Sequence, residues 1–174
     1  MDSLFDISGK TAVITGGKGI IAAAIAKALA QRGVNLALLD RSADPSVELI
    51  GDIEAAGGRV ICVPTDVLVH EELTRAAEEV LQSFGRIDFL INAAGGNKKN
   101  ATTSADLSFF QLPQEDLRQV IDLNLLGTVL PSQVFGAEIL KQGQGVIINI
   151  SSMNSFRPLT RIVGYSAAKA AVNN

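Results

Sequence analysis

Five short apolar runs punctuate the chain, at residues 11–15, 36–40, 60–64, 89–92 and 146–150, each bounded by Gly, Asn, Asp or Pro and none alternating apolar with polar positions. A strand with one face in water alternates, whereas a strand covered on both faces reads as a continuous apolar run. These five runs are therefore predicted strands of a buried parallel sheet. Helix-length stretches separate them. In the first, Ile21, Ile25 and Leu29 recur at helical spacing with alanines beside them, an apolar stripe predicted to face the sheet. Residues 45–56 and 71–84 supply the next two helices, stopped by Gly57-Gly58 and by Gly85. Residues 113–123 and 128–142 read as two more, and another begins at Tyr165. Strand–helix alternation of this kind predicts an α/β fold: an open, doubly wound parallel sheet of Rossmann type with helices on both faces, in three layers, α/β/α. The irregular stretch 95–112 exceeds ordinary loop lengths and is expected to carry function.

Composition narrows the class. At 174 residues, with 47% hydrophobic and 19% charged, the chain is long enough for one core, and residues 1–174 are expected to form a single domain. A net charge of -3, with no face rich in Lys and Arg, argues against a nucleic-acid partner. Cys62 lies inside Val60-Ile61-Cys62-Val63 and is expected to be a buried small hydrophobe. As the single cysteine, it permits no disulfide within the chain. The longest uninterrupted apolar run, residues 20–26, falls short of the roughly 20 needed to span a bilayer. The opening Met1-Asp2-Ser3-Leu4-Phe5-Asp6 carries acid where a signal peptide carries positive charge. These features predict a soluble cytoplasmic protein with no membrane partner. His70, the one histidine, precedes Glu71-Glu72 at a helix start and reads as a surface residue, and no metal site is expected.

Candidate chemistry begins at the first strand–helix junction. Thr15-Gly16-Gly17-Lys18-Gly19 leaves the first strand and opens the first helix. Glycine there allows a tight turn and close approach of a pyrophosphate to free N–H groups at the positive end of the helix dipole. The second strand ends in Asp40, whose carboxylate can accept hydrogen bonds from both ribose hydroxyls and would repel a 2′-phosphate. NAD is therefore expected over NADP, with Arg41 next to Asp40 softening the exclusion.

A second constellation lies near the end of the chain. Tyr165 and Lys169 are four residues apart, on one face of a predicted helix, and Ser152 closes the last strand run thirteen residues earlier. A cation beside a phenol favours its ionised form. Tyr165 thereby becomes a candidate general acid/base, with Ser152 placed to hydrogen-bond the oxygen that is oxidised or reduced.

Taken with Asp66-Val67, Asn92-Ala93-Ala94-Gly95 and Asn124, these motifs resemble the short-chain dehydrogenase/reductase family in order and spacing over essentially the whole chain. The resemblance implies that Gly16, Gly17, Lys18, Gly19 and Ile21 cradle the dinucleotide, Asp40 and Arg41 meet its adenosine ribose, and Asp66-Val67 touch its adenine. It implies that Asn92, Ala93, Ala94 and Gly95 wall it, that Tyr165 passes the proton, and that Lys169 assists Tyr165 and holds the nicotinamide ribose. Ser152 would orient the substrate oxygen, and Asn124 would hold a water behind Lys169. Closer in, Gly95-Gly96-Asn97-Lys98, Ala101-Thr102-Thr103, residues 122–128 and residues 151–156 look like the subgroup described as D-mannonate oxidoreductase-like. That likeness implies interconversion of a sugar acid's alcohol and ketone, mannonate and fructuronate for example, with Lys98, Lys99, Arg157 and Arg161 available to pair with the acid. Family likeness also implies a homo-oligomer, a tetramer or dimer, using residues 128–142 and the Tyr165 helix. Two departures stand out. Ile20 and Ala22 occupy positions where the family has glycine, so crowding of the pyrophosphate is expected. The family also continues past position 174 for further strands and a substrate-covering loop, so a longer natural chain is expected, and 174 residues alone are expected to bind dinucleotide poorly and turn over little. Two other functions remain open: an NADP-dependent ketoacyl or polyol reductase, and a non-catalytic nucleotide-binding or assembly module.

Overall fold

The computed structural model describes residues 5–42 and 47–174. Residues 1–4, and Pro45 and Ser46 of the predicted second helix, lie outside the described residues. Five strands, β1 (Thr11–Thr15), β2 (Asn35–Asp40), β3 (Val60–Pro64), β4 (Phe89–Asn92) and β5 (Val146–Asn149), form one sheet in the order β3-β2-β1-β4-β5. Every pairing is parallel. The order reverses between β1 and β4, which opens a crevice at the carboxyl ends of the strands, where α/β folds place ligands.

Strand residues point alternately to the two faces, so each face builds its own core. On one side Ala12, Ile14, Leu36 and Leu38 pack against α1 (Ile20–Ala30) and α2 (Val47–Ala55) through Ala22, Ala26, Ala30, Leu49 and Ile53. On the other, Val13, Ala37, Leu39 and Val63 pack against α3 (His70–Phe84) and α5 (Gly127–Gln142) through Leu73, Ala76, Val80, Phe135 and Ile139. This is the three-layer α/β/α arrangement. The helix stops fall on glycines in the left-handed region, Gly85 at φ 76° and Gly143 at φ 77°, where a side chain would be strained.

Four local expectations need correction. In α1 the alanine stripe Ala22, Ala26, Ala30 is fully buried, while Ile21 is 59% exposed and Ile25 and Leu29 pack only from the flank. Small methyl groups let the helix lie close to the sheet. The two helices predicted around Gly127 form one helical run, α4 (Gln114–Ile121) passing through a π-turn (Asp122–Leu126) into α5. Gly127 keeps helical dihedrals, φ -63° and ψ -7°, and so does not break it. Among the described residues this run, Gln114–Gln142, is also the one helix long and apolar enough to cross a membrane by length and composition; here Phe135 and Ile139 bury its apolar face in the core. β5 is an edge strand paired only with β4, and Val146, Ile147 and Ile148 are 50%, 39% and 46% exposed instead of covered. Cys62 is half-buried, and that burial raises its thiol pKa against the opposing charge of Lys18.

At the opposite end of the sheet from the crevice, the buried Asp88 fastens three strands. Its carboxylate accepts Thr11 N–H at 3.0 Å and Arg86 Nε at 2.7 Å, and lies 3.3 Å from Lys10 Nζ. Its backbone carbonyl takes Val146 N–H at 2.9 Å.

Candidate active site

The turn after β1 is shaped by close packing. Gly16 sits at φ +64°, and a Cβ there would fall 2.8 Å from Ala94 Cα; a Cβ on Gly17 would fall 2.7 Å from Leu38 Cβ. Thr15 Oγ1 accepts the N–H groups of Ala93 and Ala94, both at 3.1 Å, so the turn and the segment after β4 are fastened together. Gly19 caps α1 with no side chain, and Ile20 at the helix start is 91% exposed. Ala22 is 1% exposed with its methyl packed in the core on the sheet. The expected crowding by Ala22 is therefore absent, because the residue faces the sheet and not the turn.

Beside this turn lies a cleft of about 380 Å³ lined by Gly16, Asp40, Arg41, Asp66, Val67, Ala94 and Gly95 of the predicted set. Asp40 ends β2 and its Oδ2 accepts the backbone N–H of Lys18 at 3.3 Å, while Lys18 Nζ bonds Ser42 Oγ at 2.5 Å. Asp66 Oδ1 accepts Leu68 N–H at 2.9 Å, which fixes the turn after β3. Thr65, Leu68, Leu39, Gln119, Asp122 and Leu123 complete the lining without having been foreseen. The spacing of Gln119, Asp122 and Leu123 puts them on one helix face, and that was the available signal. Asn92 is placed elsewhere. It is 1% exposed and its Nδ2 donates to Ser132 Oγ at 2.9 Å and Asn149 Oδ1 at 2.8 Å, so it joins β4, β5 and α5 instead of walling the cleft. Gly17 and Lys18 line a small neighbouring pocket with Asp40 and Ser42.

The second group gathers where β5 meets α6 (Val163–Asn173). Lys169 is 4% exposed, its Nζ donating to Ile150 O at 2.8 Å and lying 5.9 Å from the centre of the half-buried Tyr165 ring. Burial lowers the pKa of Lys169. Ser152, two residues beyond Ile150, is extended and accepts Asn154 N–H at Oγ, 3.2 Å. Asn124 sits in the π-turn, fully buried, with Nδ2 donating to Gly96 O at 2.7 Å and Val120 O at 2.8 Å and Oδ1 accepting Gly96 N–H at 3.1 Å. The widened turn is what lets one amide reach both its own helix and the loop after β4. A Cβ on Gly95 would lie 2.7 Å from Asn124 Oδ1 and 3.4 Å from Lys169 Nζ, so these three positions meet where Gly95 lines the cleft.

The four cations proposed for an acidic substrate separate. Lys98 pairs with Asp116 at 3.4 Å and lines the cleft beside the β1 turn. Arg161, at φ 80°, gives its carbonyl to Thr103 N–H and lines a different cavity of about 540 Å³ with Phe109, Leu159, Val163 and Ala167. Val163, Ala167 and Ala170 occupy the face of α6 turned away from Tyr165 and Lys169, at 3.6 residues per turn. Lys99 and Arg157 are exposed, and Arg157 alone lies in the segment between Ser152 and Tyr165 without a place in that other cavity. His70 is exposed at the first turn of α3.

Known proteins resemble this chain in sequence and fold. The chain is 43% identical over 177 residues to an uncharacterized oxidoreductase, UxuB, of Bacillus subtilis, covering 97% of this chain and 64% of that relative. A crystal structure from Haemophilus influenzae, provisionally assigned as a D-mannonate oxidoreductase and containing bound NAD, superposes with a TM-score of 0.90 at 38% identity, over 97% of this chain and 64% of that one. An NAD-bound xylitol dehydrogenase superposes with a TM-score of 0.86 at 27% identity, over 95% of this chain and 61% of that one. The chain thus spans about 64% of the length of the first of these relatives. The family model for short chain dehydrogenases matches residues 10–174, and with this fold and these identities the chain belongs to the short-chain dehydrogenase family.

Proposed function

We propose that this chain carries the dinucleotide site and proton-transfer group of an NAD-dependent oxidoreductase that interconverts a secondary alcohol and a ketone, with a sugar acid of the mannonate/fructuronate kind as substrate. The observation that carries this is the convergence of Asn124 and buried Lys169, beside Tyr165, on Gly95, which lines the same cleft as Asp40. The cradle fits the cofactor. Gly16 and Gly17 let the turn pack directly on Ala94 and Leu38, where a Cβ would clash, which leaves the backbone N–H groups at the start of α1 free of side chains, and Asp40 offers a carboxylate for a ribose diol. Bound NAD would accept the hydride released by the alcohol carbon. Tyr165 Oη takes the alcohol proton in that direction and returns it to the ketone oxygen in reverse. Lys169, held on Ile150 O, keeps positive charge next to the phenol, and Ser152 Oγ donates to the substrate oxygen. Asn124 ties the loop after β4 to the helix, and a water held behind Lys169 belongs to the same proposal. Arg157 is the cation left to meet the acid group.

NADP is disfavoured because a 2′-phosphate would meet the Asp40 carboxylate. The provisional assignment of the Haemophilus influenzae structure supports the sugar acid. A cytoplasmic homo-oligomer completes the proposal. The exposed Phe109, Leu159 and Val163 beside α6, at 59%, 60% and 43%, form an apolar patch suited to subunit contact.

The test is NADH oxidation by a chain of the relatives' full length, followed by absorbance, with fructuronate and other keto acids. Tyr165→Phe is expected to lower the rate at least about 100-fold with ADP-ribose binding retained. Equal background rates in both proteins, with ADP-ribose still bound, would support a nucleotide-binding module instead. Arg157→Ala is expected to raise KM for the acidic sugar, and unchanged kinetics would remove Arg157 from the scheme.

A further inference from the structure

Lys98 stands three residues past Gly95, its side chain 46% exposed, and lines the same cleft as Asp40 and Arg41. Its Nζ bonds Gln119 Oε1 and lies 3.4 Å from Asp116 Oδ1, both on α4. The cleft is lined by three carboxylates, Asp40, Asp66 and Asp122, against two cations, Arg41 and Lys98. An anionic ligand entering an acidic cleft is repelled unless local cations offset the lining. We infer that Lys98 is a determinant of affinity for adenine-nucleotide diphosphates, lending its charge to the ligand's phosphates and holding Asp116 only as a resting partner. The inference rests on the nucleotide-binding reading above.

Exchange between the two partners is inexpensive. A charge-assisted N–H···O bond is usually about 2.7–2.9 Å long, so the 3.4 Å contact with Asp116 is loose. An exposed pair of this kind contributes little, so a phosphate can replace it. Lys98 also sits beyond the Gly95-Gly96 pair, in a segment tied back through Thr102 Oγ1 to Lys98 O at 2.8 Å. Its backbone is thereby fixed while its side chain can turn.

Calorimetric titration of this chain with ADP-ribose and with adenosine tests the inference, at low and at physiological salt. Lys98→Ala is expected to weaken ADP-ribose about three- to fivefold, as for a half-exposed charge pair, more at low salt than at high. Adenosine, which has no phosphate, is expected to bind as before. Lys98→Arg should restore ADP-ribose affinity, and Asp116→Asn should leave it equal or tighter. An unchanged ADP-ribose affinity in Lys98→Ala overturns the inference. So does equal weakening of ADP-ribose and adenosine, which would mean a merely structural wall, or a loss in Asp116→Asn matching that in Lys98→Ala, which would mean a strap. Wild-type chain that binds neither ligand overturns the nucleotide reading itself.

Discussion

Replacing Lys169 by Met is expected to stabilise the fold while removing the cation from the proposed proton-transfer site. Lys169 is 4% exposed, and its ammonium is bonded to one peptide carbonyl, Ile150 O, at 2.8 Å. Burial lowers its pKa. Removing an ammonium from water costs several kcal/mol even after relaxation, and one hydrogen bond from a charged group returns about 1.5–3 kcal/mol. The difference leaves Lys169 as a net cost of about 1–3 kcal/mol, which Met, flexible and similar in length, would relieve while keeping the packing of the stem. The pH dependence has a definite sign. A folded pKa below the unfolded one means that the unfolded chain binds more protons in that interval, so wild-type stability rises with pH there. The penalty is full below the lowered folded value and fades as pH climbs through the unfolded value of about 10.4. Urea denaturation followed by circular dichroism, from about pH 7 to about pH 10, should show the Met variant more stable at neutrality and the gap closing upward. A variant less stable than wild type at neutral pH, or a gap that widens with pH, would refute the burial argument.

Gly17→Ala should lower ADP-ribose affinity at least about tenfold and cost about 1–3 kcal/mol of stability, because its Cβ would lie 2.7 Å from Leu38 Cβ and 3.1 Å from Leu38 Cα; calorimetry and urea unfolding check both, and unchanged binding would mean that the turn has slack. Asp88→Asn should cost about 2–3 kcal/mol at neutral pH, from an orphaned Thr11 N–H and weakened pairing to the partly exposed Arg86 and Lys10. Burial raises the Asp88 pKa, but hydrogen bonds from Arg86, Thr11 and Lys10 outweigh it and hold the value below the ordinary one. Its contribution is therefore complete above an unfolded pKa of about 3.9 and lost as pH falls through the lower folded value. Urea midpoints of the two proteins should converge under strong acid, and a constant gap would contradict this.

β1 and β2 were legible because burial on both faces writes an uninterrupted apolar run, and Gly85 marked a helix end because only glycine sits easily at positive φ. Tyr165 and Lys169 were legible because helical spacing fixes which residues share a face. Other features depend on packing that spacing does not encode. Hydrophobicity ranks Ile21 above Ala22, yet close approach to the sheet selects the smaller residue. The π-turn leaves no compositional mark, so Gly127 looked like a break. Asn92 lies in the right motif but on a strand face that turns it toward Ser132 and Asn149. Lys98 and Arg161 come from irregular segments, where only the tertiary path decides which cavity each cation meets.

Three methyl groups, those of Ala22, Ala26 and Ala30, set how high α1 rides above the sheet. That height also sets the reach of the helix's amino end, so the stance of the proposed phosphate cradle is decided by residues up to nearly three turns away from it. Enlarging Ala26 or Ala30 by even two carbons would lift the whole rod, since a dense interior has nowhere to absorb the volume. Nucleotide affinity in this fold is accordingly tunable from deep inside the protein, by changes that never touch the nucleotide.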